Sequence, residues 1–315
     1  MIWYMKRICL IIIAFGDPER KKKLQWLKTN IERLRANLTG IGILDVVVNQ
    51  YTTDSVLTQE IHAIDANIKV NVSEGYLVEL LKKHNQPEKY SNYDHIILLL
   101  DDVEVCVDFN IASLIDAQDR YGFDLMSPAV IGSTHAYLAP YPKELVLSTQ
   151  IEFYFYLFTP KSYKKYYDYF LEPHFTMWGY DLTLTYGARI ISVIDYTQKV
   201  VHHLRMMTKE RFERGVFEIK DISRLIGINI LQIANPNIPL APIIRDTTQQ
   251  HQIRTAYYGT KDVTAKVREL HDKGIRTIKA DKKVLDDPNP RSTKLLIVWT
   301  KDKFHLAREA ESVNL

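Results

Sequence analysis

Two adjacent aspartates, Asp101 and Asp102, follow the unbroken apolar run Ile96–Leu100, and Glu104 stands two residues further on. Ionised carboxylates are rarely buried without a partner. Hard oxygen ligands suit a divalent cation that a diphosphate can share. The residues alone leave two readings level: ligands for such an ion, or acids that cap a turn and pair with nearby lysines. Downstream, "MWGYD" brings Trp178, Gly179 and Asp181 to the start of a short helix expected over residues 182–187. Asp181 is there either an N-cap or a general base within reach of a hydroxyl. His202-His203 follows Val200-Val201. A neutral imidazole is a good ligand for Mn²⁺ and a weaker one for Mg²⁺, although a lone histidine is more often structural. Glu152 heads the aromatic run "IEFYFYLF" and faces either solvent or a bound molecule.

The elements that must position these groups read as an α/β domain. Ile8–Phe15 is continuously apolar without helical period, as expected of a buried parallel strand, and Gly16-Asp17-Pro18 breaks it. An amphipathic helix follows over residues 18–37, with Leu24, Leu27, Ile31 and Leu34 on one face. Strands are expected over 44–50, 68–72 and 93–100, with a helix over 75–84. Such alternation predicts a mostly parallel sheet flanked by helices. Ligands of such sheets bind beyond the carboxyl ends of the strands, near the switch in strand order. Ala14-Phe15-Gly16-Asp17 and Leu100-Asp101-Asp102 both end strands in this way. Further on, a helix is expected over 109–118, strands over 125–130 and 151–158, an aromatic helix over 162–170, and strand-like pieces at 190–195 and 199–202. Residues 1–205 form the main domain in this reading. Residues 206–250, with the proline-rich "ANPNIPLAP", read as a linker or crossing segment. Residues 251–315 read as a small β-rich module.

Composition narrows the class. The chain has 315 residues, 46% hydrophobic and 25% charged, enough for a large core without disulfides. Its net charge of +3 is too small to argue for nucleic acid. The basic run Arg20–Lys23 lacks interleaved aromatics and reads as a solvated helix face. The two cysteines, Cys9 and Cys106, sit in apolar runs outside any CxxC pair and read as buried free thiols. A reducing, cytoplasmic setting is expected, because the first apolar run is too short to span a bilayer and no small-residue cleavage site follows it. The 19 tyrosines, many of them between residues 137 and 196, suit either a packed aromatic core or surfaces that hold polar ligands such as sugars. GxGxxG, GxxxxGK[ST], GxSxG and HExxH are all absent from the sequence.

In their order and spacing, the strand end at Asp101-Asp102, Ile151-Glu152, Trp178-Gly179-Tyr180-Asp181 and Val200-Val201-His202 resemble the metal-dependent glycosyltransferases of the GT-A fold. They look closest to a plant, bacterial and viral subgroup of it. The likeness covers roughly residues 7–205 and is firmest from Tyr93 to His202. It implies a GT-A-like, Rossmann-like mixed sheet and transfer of a sugar from a nucleotide-diphosphate sugar to a carbohydrate or glycan acceptor. Mn²⁺ or Mg²⁺ would be held by Asp102 with Asp101 and His202. Ala14, Phe15, Gly16, Asp17, Leu100 and Asp101 would contact the nucleotide sugar. Asp181 would be the base of an inverting reaction, and Glu152, Trp178 and Gly179 would line the acceptor side. The family's DxD motif is altered to Leu100-Asp101-Asp102, or to Asp102-Val103-Glu104 if read one step later, and either leaves Asp102 as the main metal ligand; Tyr180 stands where its base motif has glutamate. Two rivals share the fold: a carbohydrate-binding or scaffold protein without turnover, and a nucleotidyltransferase.

Overall fold

A computed structural model of the chain describes residues 5–17, 19–133, 145–171, 174, 176–203, 209–229, 237–239, 251–286 and 294–315. In chain order, the first half comprises β1 (Lys6–Phe15), α1 (Arg20–Leu38), β2 (Gly42–Gln50), α2 (Ser55–Ile64), β3 (Lys69–Val72), α3 (Leu77–His84), β4 (His95–Leu99), β5 (Val103–Val105) and α4 (Ile111–Tyr121). There follow β6 (Leu125–Ile131), β7 (Leu145–Ser148), β8 (Phe155–Phe158), α5 (Pro160–Tyr167), α6 (Tyr180–Leu182) running into a π-turn (Thr183–Gly187), β9 (Ser192–His202), α7 (Lys209–Ile226) and β10 (Asn237–Pro239).

One large sheet runs β10-β7-β9-β6-β8-β4-β1-β2-β3, with β5 paired to β9. β1 is parallel to β2 on one side and to β4 on the other. The chain therefore builds outward through β2 and β3, then returns across β1 to add β4. That reversal is a topological switch point, where the carboxyl ends of neighbouring strands leave a crevice. Ile8–Ile13 of β1 and Ile96–Leu99 of β4 are fully buried. This explains why both strands read as unbroken apolar runs instead of alternating ones.

Where the structure departs from the sequence reading, local causes are visible. α2, unanticipated, rests on only two buried apolar residues, Leu57 and Ile61, and on the N-cap Asp54, which accepts from Val56 N at 2.8 Å. The expected strand over 151–158 begins only at Phe155; residues 151–154 are irregular. The two pieces at 190–195 and 199–202 are one strand, β9, whose register against β6 slips between Pro128 and Ala129. Asp195 caps the slip by accepting from Thr197 N at 2.9 Å. The stretch read as a linker opens with the 18-residue helix α7. Its buried apolar residues are Ile222 and Ile226, while Phe212, Phe217 and Leu225 are exposed, and its buried polar Glu218 breaks the stripe a sequence reader looks for.

The C-terminal region is β-rich, as expected, and also contains helices. It comprises β11 (Ile253–Tyr258), β12 (Lys261–Asp262), α8 (Thr264–Asp272), β13 (Thr277–Lys279), α9 (Lys282–Leu285), β14 (Leu295–Thr300), β15 (Phe304–Arg308) and β16 (Ser312–Asn314). A four-stranded antiparallel sheet, β12-β11-β14-β15, forms its centre. β14 is buried on both faces with period two. Leu295, Ile297 and Trp299 join the main core, while Leu296 and Val298 join the module's own. Arg308 donates to the carbonyls of Ile226 and Tyr186, and Arg189 pairs with Glu311 at 2.6 Å.

Candidate active site

Helix α1 supplies the base of the site. Beside its apolar stripe, Lys23, Trp26, Asn30 and Arg33 recur at helical spacing; Lys23, Asn30 and Arg33 contact the segment Asp101–Val105, and Trp26 contacts His203. Lys23, 5% exposed, places Nζ 2.6 Å from Asp101 Oδ2 and donates to the Gly16 carbonyl at 3.0 Å. Asn30 donates to Val103 O at 2.8 Å and accepts from Val105 N at 2.9 Å. Arg33 pairs with Glu104 at 2.8 Å. Trp26 stacks flat on His203, with ring centroids 4.3 Å apart. The basic run expected to be solvated is thus split: Lys21 and Lys22 are exposed, and Lys23 is a buried counter-charge.

The aspartates have separate environments. Burial pushes the Asp101 carboxyl up to about 7; Lys23 opposes this, Asp102 adds to it, and the Gly16 N–H bond also opposes it. Asp102 faces the other way. The β5–β9 register sets Val103 opposite His202, which brings Asp102 Oδ2 to 3.2 Å from His202 Nε2. Two ligands at right angles on an octahedral ion with bonds near 2.1 Å stand about 3 Å apart, so this spacing fits a shared Mg²⁺ or Mn²⁺. Asp102 Oδ1 and His202 Nδ1 are also buried without a hydrogen-bond partner. A site with two protein ligands leaves positions for substrate phosphates and water. His203 and Glu104 are taken up with each other, at 3.0 Å.

Segment 150–154 links the remaining candidates. Tyr154 lies against His202, centroids 4.5 Å apart, and donates to Glu152 Oε1 at 2.8 Å. Ser133 donates to Glu152 Oε2 at 2.8 Å. Gln150 Nε2 donates to Asp181 Oδ2 at 3.0 Å. Asp181 stands half-buried in the first turn of α6, with no side-chain cap bond at Gly179, the N-cap. Gly179 has φ 85°, and a Cβ there would come within 3.3 Å of the Ile219 backbone of α7. Only glycine meets both demands easily. Trp178 packs one face on Gly215, where a Cβ would come within 2.5 Å of the indole, and stays half-buried. Tyr180 is fully buried, and its hydroxyl accepts from Leu171 N at 2.9 Å. Glu218 of α7 is also fully buried and accepts from Thr176 N at 3.0 Å, so α7 clamps the loop that carries Trp178 and Asp181.

The residues at the carboxyl ends of β1 and β4 divide. Phe15 and Gly16 are buried, Ala14 and Leu100 are half-buried, and Asp17 is exposed. The Tyr51 ring covers Gly16 so closely that a Cβ there would lie 2.6 Å away. Burial pushes the Tyr51 phenol up, Asp101 and Asp17 add to this, and Arg211 of α7 opposes it. Lys23, Tyr51, Gln150, Tyr154 and α7 do not stand out in the sequence as parts of a site. Only Lys23 leaves a signal there, the 3–4 spacing of polar residues beside an apolar stripe.

No family model and no curated protein matches the chain by sequence. Solved structures match by fold. GalNAc-T7, determined with UDP, GalNAc and Mn²⁺, aligns at TM-score 0.51 and 11% identity, over 69% of this chain and 48% of that one. Glucosyl-3-phosphoglycerate synthase from Mycobacterium tuberculosis, determined with Mn²⁺, UDP and phosphoglyceric acid, aligns at 0.46 and 10%, over 74% and 87%. S. aureus TarS aligns at 0.45 and 12%, over 70% and 39%. The first of these, together with the strand order, establishes the GT-A fold. This chain spans about half the length of that structure.

Proposed function

We propose that the chain is a glycosyltransferase that moves a sugar from a nucleotide-diphosphate sugar to an acceptor hydroxyl with Mn²⁺ or Mg²⁺. The observation that carries this is the Asp102–His202 pair, 3.2 Å apart with buried unpartnered atoms, at the switch point of a GT-A sheet. The ion, when bound there, would neutralise charge building on the diphosphate leaving group. Asp101, tied to Lys23 and Gly16, would hold the loop and leave Asp102 to face the donor. Ala14 near the end of β1 and Asp17 just beyond it, both open to a ligand, would contact the nucleotide. Asp181 would accept the proton of the attacking hydroxyl, with Gln150 fixing its carboxylate, and the outcome would be inversion. Glu152, held by Ser133 and Tyr154, and the open edge of Trp178 beside Gly179 would line the acceptor side.

The test is release of nucleotide diphosphate from a panel of nucleotide sugars, with and without Mn²⁺. Metal-dependent release that rises with an added sugar acceptor supports transfer. Pyrophosphate release from a nucleoside triphosphate would mark a nucleotidyltransferase instead. Sugar binding with no release from any donor would mark a binding protein.

A further inference from the structure

The edge of the sheet opposite the candidate active site carries a second cleft, of about 370 Å³. β8 runs antiparallel to β4, with Phe155 opposite Leu99 and Phe158 opposite Ile96. Its start therefore lies at the active-site edge and its end at the far edge. At about 3.3 Å per residue, the run from Tyr154 to Thr159 separates the two by roughly 16 Å. The cleft lies where the C-terminal module meets the main domain. Lys161, Lys165 and Arg189 line it from the main domain, Lys303 and Phe304 from the module, and Asp124 is the one acid among its lining residues.

The charge there is unbalanced. Asp124 Oδ2 accepts from Ile191 N at 3.0 Å, and Arg189 is held by Glu311. Among the described residues Lys161, Lys165 and Lys303 have no carboxylate partner. Lys161 also sits in the first turn of α5, a turn with no acidic residue, where the positive end of the helix dipole opposes a cation. Like charges brought together from three separate parts of the chain repel unless an anion joins them. Phe304, backed by Trp299 at 4.8 Å between ring centroids, adds an aromatic wall. Cations around an aromatic surface, in a volume within the range of small-ligand sites, suit an anionic sugar.

We propose that this cleft is an accessory site for a phosphate- or carboxylate-bearing sugar unit of a glycan. The anion chemistry stands on the cleft itself; that a glycan carries it rests on the transferase reading. The experiment is calorimetric titration of the full chain, in EDTA, with glucose 6-phosphate, glucuronic acid and uncharged glucose. Wild type is compared with Lys161→Gln/Lys303→Gln, which alters two exposed side chains, and with Asp102→Ala. The expected result is binding of one or both anionic sugars and not of glucose. The phosphate and carboxylate arms identify the preferred group. The double variant weakens that binding about tenfold or more for each lysine replaced and keeps nucleotide-sugar binding, measured in a separate titration with Mn²⁺ and without EDTA, while Asp102→Ala does the reverse. Unchanged affinity in the double variant, or loss of anionic-sugar binding in Asp102→Ala, overturns the proposal. Inorganic phosphate binding as tightly as glucose 6-phosphate overturns the sugar assignment. If wild type binds no nucleotide sugar with Mn²⁺ yet still binds anionic sugars through these lysines, the transferase reading fails and the anion site stands.

Discussion

Replacing Lys23 with methionine keeps the unbranched apolar stem and removes the charged end, leaving Asp101 buried without its cation. The cost should depend on pH, and its sign follows from where Asp101 titrates. Its folded value, about 7, lies above the ordinary 3.8, chiefly because of burial. Between those values the folded protein holds a proton that the unfolded chain has released. The stability this group contributes is therefore complete below 3.8, is lost as pH rises through 7, and changes no further once both states are ionised. Without Lys23 the folded carboxyl titrates higher still, so the loss continues above pH 7 at about 1.4 kcal/mol per pH unit. By pH 9 the gap between wild type and Lys23→Met should have widened by at most about 3 kcal/mol, the low end of the 3–5 kcal/mol typical for breaking a buried pair. Urea unfolding in EDTA at pH 6, 7, 8 and 9 reads this directly, with the exposed neighbour Lys21→Met as control. Parallel profiles for wild type and Lys23→Met across that range would refute the buried-pair reasoning.

Gly215→Ala should lower the urea midpoint, because crowding against Trp178, at 1–3 kcal/mol, outweighs alanine's helical advantage of about 1 kcal/mol. It should raise the acceptor KM and leave donor affinity unchanged. Trp299→Ala, which removes a 2%-exposed ring from the contact between module and main core, should cost about 3–5 kcal/mol in denaturant unfolding. Asp181→Asn should reduce transfer about 10²–10⁴-fold while nucleotide-sugar binding, followed by calorimetry, stays near wild type.

The fold is legible in the sequence because its parallel strands are buried on both faces. Ile8–Phe15 and Ile96–Leu100 can hardly be read as anything but inner strands, and the helix between the first two strands shows a clean apolar stripe. The pairing of Asp102 with His202 is legible only in outline. It depends on the β5–β9 register, set by a strand of three residues and by a slip in β9 that sequence does not announce. The division of labour between the aspartates is hidden for a different reason. Asp101 is claimed by Lys23, a residue of the first turn of α1 whose neighbours Lys21 and Lys22 face water. α7 is hard to see in the sequence because it buries a glutamate and a glycine, Glu218 and Gly215, where a helix facing the core ordinarily presents leucines. Both residues serve the loop beneath it: Glu218 bonds Thr176, and Gly215 makes room for Trp178.

The most direct test is thermal unfolding with a nucleotide-diphosphate sugar, with and without Mn²⁺, for wild type, Asp102→Ala and His202→Ala. Ligand that binds only the folded state raises the melting temperature by mass action, about 2.7 kcal/mol at a hundred times its Kd. The expected result is a shift in wild type that requires both sugar nucleotide and Mn²⁺. It should disappear in Asp102→Ala and shrink in His202→Ala, with both variants folded in the absence of ligand. A Mn²⁺-dependent shift of full size in Asp102→Ala would contradict the assignment of this crevice as the donor and metal site.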